Sequence, residues 1–232
     1  MSGDRRARAE RMAAAARELE DEGDTQTTME VAVRLAVGNV RNCDAASFSL
    51  AKRDGHLETP AYTDELALAA DLLQYELGEG PCVEAVWEER VVHSADLAGD
   101  ARWPAWGQRV VRDLRAHSVL SLQLFTHSDT LGALNLYSRT PNAFDRDDLD
   151  DGIALAAHVA IATAAAQEHA GLAAAVDTRT VIGQATGVLM ERYGLDAAKA
   201  FSLLTRVSSQ TNTKVRDLAR ELVETGQITA ID

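Results

Sequence analysis

Few residues in this 232-residue chain have types and spacings that could do bond chemistry. Cys82 follows Gly78-Glu79-Gly80-Pro81 at the start of an expected helix, where free backbone N–H groups favour a thiolate. A buried, inert thiol is the other reading of the same residue. Cys43 is the only other cysteine, too few for a disulfide framework. Trp87, Trp103 and Trp106 carry large apolar surfaces that either pack in a core or line a ligand pocket. His93, His117, His127, His158 and His169 are scattered and never stand at metal-ligand spacing, and none stands out as a haem ligand. No phosphate-binding glycine loop and no Ser-His-Asp spacing is recognisable, so binding is expected rather than catalysis, and no cofactor can be named.

The basic residues of the last quarter are the stronger lead. Net charge is −13, which taken whole disfavours a nucleic-acid partner. From Asp177 to Ile228, however, seven basic residues stand against six acidic ones, leaving +1. The rest of the chain holds sixteen basic against thirty acidic, leaving −14. A nucleic-acid surface is therefore excluded from the first three quarters and open in the last. There Arg216 and Arg220, four apart, share a helix face. Lys199 and Arg206, seven apart, share another. Arg192 and Tyr193 set a donor beside a ring that could stack on a base, and Asn212 and Lys214 fall in a turn. Taken alone, each charge reads first as a solvated surface group, and Asn212 as a helix cap. Gly187 inside a helix costs about 1 kcal/mol relative to Ala, which close approach of a helix or of RNA would justify.

These residues need elements to hold them. Composition is 46% hydrophobic and 25% charged, as in globular chains, with aromatics at 5%, so small residues must do much of the packing. Residues 1–25 read as an amphipathic helical arm carrying Arg5, Arg6, Arg8, Arg11 and Arg17, with Met12, Ala15, Ala16 and Leu19 on its apolar side. It either packs on a neighbour or serves as a basic contact arm. Thr27 and Thr28 are candidate caps for a helix to Val40. Ala46–Leu50 alternates as a half-buried strand would, Asp54-Gly55 is a hairpin turn, and Leu57–Tyr62 returns. Helices are expected at Glu65–Tyr75, at Val83–Trp87 behind Pro81, and at Gln108–Ala116. Strands are expected at Arg90–Ser94, Ser118–Thr126 and Leu131–Tyr137. Hairpins dominate over βαβ units, which predicts an α+β domain, an antiparallel sheet with helices on one face.

From Asp147 the pattern is helical and rich in alanine. Ile153, Ala157, Ala160, Ala164 and Gln167 step by four and three, the seam of a coiled coil, which predicts a parallel helix pair between two subunits. Gly171 weakens this helix at its exit. Three short helices follow, the first burying Ile182, Ala185 and Leu189. The second buries Ala197, Ala200, Phe201, Leu204 and Val207, and the third Val215, Leu218, Ala219, Leu222 and Val223. Gly194 and Gly226 end helices and Asp196 caps one. Apolar stretches of transmembrane length free of charge are not apparent, and the polar start is unlike a secretory signal, so a cytoplasmic location and no membrane partner are expected.

Two resemblances emerge from these residues. Leu77-Gly78-Glu79-Gly80-Pro81-Cys82, Asp96-Leu97, Arg102-Trp103-Pro104, Gly132 to Ser138 and Ala143-Phe144, in that order, resemble a GAF-type sensor domain over residues 26–168. The resemblance implies a module that senses a small molecule or redox signal, dimerises, or does both. Cyclic-nucleotide-binding members pair asparagine with lysine ahead of Phe-x-x-x-Asp-Glu. Here Asp148 follows Phe144, but Leu149 replaces the Glu and no lysine pairs with Asn135 or Asn142, so that ligand is not implied.

Arg179-x-x-Ile182-x-x-Ala185-x-Gly187-x-Leu189-Met190-Glu191-Arg192, then Ala200-Phe201-x-x-Leu204, Ser208-Ser209, Asn212-x-Lys214 and Ala219 resemble an ANTAR domain, placed at 169–228. The whole is similar to GAF-ANTAR transcription antitermination regulators. That implies an α+β sensor joined by a long coiled-coil helix to an all-α three-helix bundle. It also implies a homodimer that binds paired stem-loops in nascent RNA, with Arg179, Gly187, Arg192, Tyr193, Lys199, Arg206, Asn212, Lys214, Arg216 and Arg220 as candidate contacts. Cys82, Trp87, Trp103 and Trp106 are the candidate residues for a small-molecule ligand. Many ANTAR members have lysine where this chain has Thr186, which removes one phosphate contact or replaces it with a hydroxyl. A DNA-binding regulator and a ligand-sensing dimerisation adaptor are the alternatives. Against DNA, Asp217, Glu221 and Glu224 share the third helix with its cations.

Overall fold

A computed structural model describes residues 2–127 and 129–228, with only the backbone described for residues 2–5, so the Arg5 side chain lies outside it. The chain divides into two compact units, Met1–Gln167 and Glu168–Asp232.

The first unit opens with α1 (Ser2–Glu20) and α2 (Thr25–Asn39). Asp24, not Thr27 or Thr28, caps α2, its carboxylate accepting from the backbone N–H groups of Gln26 and Thr27. Asp24 stands directly before the first helical residue with extended backbone, where its carboxylate meets these free donors, whereas Thr27 and Thr28 lie inside the helix and Thr28 is buried with its hydroxyl turned back to the Asp24 carbonyl. α1 packs on its own unit: Met12, Ala15 and Leu19 enter the core, and Arg8 pairs with Asp147 and Asp151.

Five strands follow: β1 (Ala45–Ala51), β2 (Leu57–Tyr62), β3 (Val91–Ser94), β4 (Ser118–Phe125) and β5 (Thr130–Ser138). They form one antiparallel sheet in the order β2-β1-β5-β4-β3. Helices cover both faces, not one. Phe48, Leu120, Leu122, Leu124, Leu134 and Leu136 point to the side packed by α1, α2 and the long helix α6 (Arg146–Tyr193). Ala45, Val119, Ala133 and Tyr137 point to the other side, with α3 (Glu65–Leu77), α4 (Pro81–Trp87) and α5 (Pro104–Arg109). The alternation of β1 misleads for a physical reason. Its polar residues Ser47 and Ser49 face a buried polar cluster under α3, not water.

Two helices differ from the sequence expectation. α5 starts at Pro104, whose fixed φ suits a first turn, and passes into a π-helical turn at Val110–Leu114 that ends on left-handed Arg115. α6 is one helix of 48 residues, so the segments before and after Gly171 are continuous. One glycine among alanines does not overcome their helix propensity. Ala160 packs into the core of its own sheet, while Ile153, Ala157 and Ile161 face outward, so the exposed apolar stripe of α6 is rotated from the expected seam. By length and composition α6 contains a window apolar enough to cross a membrane; 44% of that window is buried inside the fold.

The second unit comprises the end of α6, α7 (Ala197–Thr211) and α8 (Val215–Thr225). Its core is Val181, Ala185 and Leu189 from α6, Ala200, Leu204 and Val207 from α7, and Leu218, Ala219 and Leu222 from α8. Gly194 and Gly226 adopt left-handed conformations at the helix ends and Asp196 caps α7, as expected. Phe201, Ala197 and Val223 are exposed, not buried. Phe201 and Val223 each follow a core residue directly, and one residue turns a helix by about 100°, away from a narrow three-helix core.

Candidate functional site

The surface of the second unit is built by its caps and turns. Asp196 accepts from the Lys199 backbone N–H at 2.8 Å and also pairs with the Lys199 ammonium at 3.1 Å. α7 ends on Asn212 in the left-handed region, φ 53°, a position that asparagine tolerates. Asn212 therefore fills the cap position of α7, with its side chain exposed. Ser208 Oγ donates to the Thr213 carbonyl at 2.6 Å and fixes the turn that leads through Lys214 into α8.

The candidate cations fall into two sets. Lys199, Arg216 and Arg220 are engaged by carboxylates, with Arg216 on Asp217 at 3.2 Å and Arg220 on Asp177 at 2.8 Å. Arg179, Arg192, Arg206 and Lys214 are exposed and have no ion-pair partner among the described residues. Lys199 and Arg206 line one shallow groove with Leu195, Ala198, Ser202 and Leu203, as their seven-residue spacing predicts. Tyr193 is 51% exposed at the end of α6, and Phe201 is 45% exposed on α7. These two rings are available for stacking on unpaired bases. Sequence reasoning had Tyr193 but assigned Phe201 to the core. Gly187 is exposed, and nothing lies within 4 Å of where its Cβ would be, so no other helix of its unit approaches it. Thr186 turns its hydroxyl to the Ile182 carbonyl at 2.7 Å, so it does not offer itself outward in place of a lysine.

The candidate ligand residues of the first unit separate. Trp103 and Trp106 form an edge-on pair at 6.0 Å in the core. Their indole N–H groups are spent, on Glu84 at 3.0 Å and on the Ala70 carbonyl at 2.9 Å. Trp87 is 53% exposed and lines an open groove with Lys52, Arg53, Thr130 and Gln167. Cys82 is buried; its N–H donates to Gln74 Oε1 at 2.7 Å and its thiol reaches Ser49 Oγ at 3.1 Å. Burial, the largest cause, pushes this thiol up to about 12, so it stands as the thiol.

The sequence reading missed the group that organises this interior. Asp71 of α3 is wholly buried among Ser47 and Ser49 of β1, Thr59 of β2, Asn135 and Tyr137 of β5, and Gln74 and Tyr75 of its own helix. The signal was present. Asp71, Gln74 and Tyr75 share the helix face of Ala67 and Ala70, where an amphipathic helix should be apolar. Glu79 was missed as well: its carboxylate accepts from the N–H groups of Ala105 and Trp106, holding the start of α5.

A family model described as GAF domain matches residues 22–164, and one described as ANTAR domain matches residues 170–223. No curated protein matches the chain. Among solved structures, the GAF domain of a phosphoenolpyruvate-protein phosphotransferase from Coxiella burnetii is similar at 15% identity and TM-score 0.56, covering 71% of this chain and 96% of that one. Free methionine-R-sulfoxide reductase from Neisseria meningitidis, in complex with its substrate, is similar at 16% identity and TM-score 0.56, covering 69% and 90%. The reduced form of the Staphylococcus aureus enzyme gives 18% and 0.54, covering 67% and 94%. At these identities the likeness is one of fold.

Proposed function

This chain belongs to the GAF domain family and carries an ANTAR domain behind it, and from that premise we propose that it is a transcription antiterminator that binds paired stem-loops in nascent RNA. The ANTAR domain is an RNA-binding antitermination module, and the GAF domain is a sensing and dimerisation domain. Both are regulatory domains, although the GAF fold also serves some enzymes, and in this reading the work done is binding. One observation carries the reading. The ANTAR match falls on the part of the chain where the acidity disappears, and there Arg179, Arg192, Arg206 and Lys214 stand exposed with no carboxylate partner among the described residues. Cations free of internal partners can release counterions from phosphate.

In this reading the sensor spans 26–168 and the RNA-binding domain 169–228, in a cytoplasmic protein. The charge of the RNA-binding segment is small, so a single copy binds weakly. Two copies, joined through the outward stripe of α6, bind a pair of stem-loops with raised effective concentration. A small molecule in the sensor would then tune binding by setting how the two copies present their bundles.

Fluorescence anisotropy of the full chain against tandem-hairpin RNA and against duplex DNA of the same sequence tests the proposal. RNA is expected to bind more tightly, and Arg206→Ala with Lys214→Ala to weaken it at least about tenfold. Preference for the DNA duplex, or no RNA binding at low salt, would overturn it.

A further inference from the structure

The interior of the first unit holds a closed ring of four oxygens. Asp71 Oδ2 meets Ser49 Oγ at 3.2 Å. Ser49 Oγ meets the Tyr75 hydroxyl at 2.6 Å. That hydroxyl meets Thr59 Oγ1 at 2.9 Å, and Thr59 Oγ1 returns to Asp71 Oδ2 at 3.0 Å. Each of the four contacts requires one proton between its two oxygens. Ser49, Thr59 and Tyr75 bring one hydroxyl proton each. With Asp71 ionised there are three protons for four contacts, and one pair of oxygens would face each other bare. The fourth proton has one place left to reside, Asp71 Oδ2. With it, every oxygen donates once and accepts once within the ring; from outside it, Asn135 Nδ2 also donates to Ser49 Oγ at 2.9 Å and the Cys82 thiol lies 3.1 Å from the same oxygen.

We propose that the first unit contains a buried proton-binding site, in which Asp71 is a neutral carboxylic acid whose proton closes this ring, and that loss of the proton loosens α3 from β1 and β2.

The rest of the surroundings agrees. Asp71 Oδ1 takes the carbonyl role, accepting from Tyr137 at 2.6 Å, Asn135 Nδ2 at 3.2 Å and Gln74 Nε2 at 3.5 Å. The two oxygens thus have different company: amide and phenol donors on one, hydroxyls alone on the other. The titratable groups facing Asp71 are Tyr75 from α3, Tyr137 from β5 and Cys82 from α4, each pushed up by burial and held neutral. No lysine, arginine or histidine is among its hydrogen-bond or ion-pair partners in the described residues. Burial holds the carboxyl above the usual carboxylate range, with the hydrogen bonds opposing.

The sign for stability follows. The folded chain binds this proton more tightly than the unfolded chain does. The stabilisation is therefore fully present below about pH 4, where both forms hold the proton, and is lost as pH rises through the folded value. Proton loss breaks one of the four contacts and leaves an unpaired charge in the interior, and the ring is the polar link between α3 and the hairpin of β1 and β2, beside the apolar packing of Leu66, Ala67 and Ala70.

Aspartate-selective carbon-13 NMR of the full chain reads the site directly. Asp71 is assigned by D71N or, if that variant does not fold, by correlation to its own backbone amide. At pH 7 its carboxyl carbon is expected to resonate as the protonated acid. Tyr75→Phe is the decisive variant. It removes one proton and two contacts, so Ser49 and Thr59 can both donate to an ionised Asp71. Proton affinity is then expected to fall by about tenfold or more, one pH unit downward in the titration midpoint. A merely structural Tyr75 would lower stability equally at every pH and leave the midpoint in place. An ionised Asp71 in the wild-type chain at pH 7, or a midpoint unmoved or raised in Y75F, would overturn the proposal.

Discussion

The phenol of Tyr137 on β5 donates to Asp71 Oδ1 on α3 at 2.6 Å, tying the central strand of the sheet to the helix that covers it. The same oxygen of Tyr137 accepts from Gln74 Nε2 at 3.1 Å, so one hydroxyl serves two turns of α3. Tyr137→Phe removes both services without altering the volume of the ring, and leaves the Gln74 donor short of an acceptor. Leaving buried polar groups unserved costs about 1–3 kcal/mol. The expected result is a lower urea midpoint with unchanged slope for the unfolding of the first unit. Tryptophan fluorescence reports that transition cleanly, since Trp87, Trp103 and Trp106 all lie in that unit.

Gly132 makes a harsher prediction. It begins the stretch of β5 paired with β1, at φ 152° opposite Leu50, and a Cβ built there would overlap the Ser49 carbonyl. Backbone, unlike a flexible side-chain tip, cannot yield without breaking the ladder. Gly132→Ala is therefore expected to destabilise the unit by more than Tyr137→Phe does and to displace Ser49 from its partners. Faster limited proteolysis of β1 and β5 than in wild type is the expected readout; equal protection would show that the strand pair can absorb the methyl group.

Much of this architecture is legible in the sequence because it rests on local rules. Asp54-Gly55 yields the β1–β2 hairpin, with Gly55 at φ 85°, and β2 runs over Leu57–Tyr62 as expected. What stays hidden is what depends on a second element. Ser47 and Ser49 look like a solvent face because period-two alternation cannot tell water from a buried hydroxyl cluster. Phe201 looks like core because apolar spacing along one helix does not tell how narrow a seam the neighbouring helices leave. The cations of the second unit are visible in the sequence, but which of them a carboxylate holds is not. Asp177 lies forty-three residues before its partner Arg220.

That pair supplies the next prediction. Both side chains are more than half exposed, and such surface pairs contribute about 0–1 kcal/mol, so Arg220 can be redirected cheaply. Asp177→Asn is expected to leave stability nearly unchanged and to strengthen binding of tandem-hairpin RNA, because it frees a cation and removes a repulsive charge. If Arg220 then contacts a phosphate, the slope of log affinity against log salt steepens by about one. Arg220→Ala in the same background should cancel the gain. Unchanged or weaker RNA binding by Asp177→Asn would place the RNA elsewhere on the bundle.

The outward stripe of α6 gives a test of the proposed dimer. Ile153, Ala157 and Ile161 step by four along the helix, and Ile161 is 65% exposed although it follows the fully buried Val159 and Ala160 by a residue or two. Leu172 and Val176 stand exposed farther along the same helix. Burying a side chain such as isoleucine gains about 1.5–3 kcal/mol, and a helix that sheds several of these from water by pairing with a second copy has reason to do so. Ala157 between the two isoleucines lets helices approach closely, which a larger residue would prevent. Sedimentation velocity at micromolar concentration is expected to give a dimer for the wild-type chain and a monomer for Ile161→Glu, with the circular dichroism of both alike. The monomer should also lose affinity for a tandem-hairpin RNA far more than for a single hairpin, since only the former rewards two linked domains. A wild-type monomer, or a variant that keeps its preference for the tandem RNA, would remove the stripe from the interface.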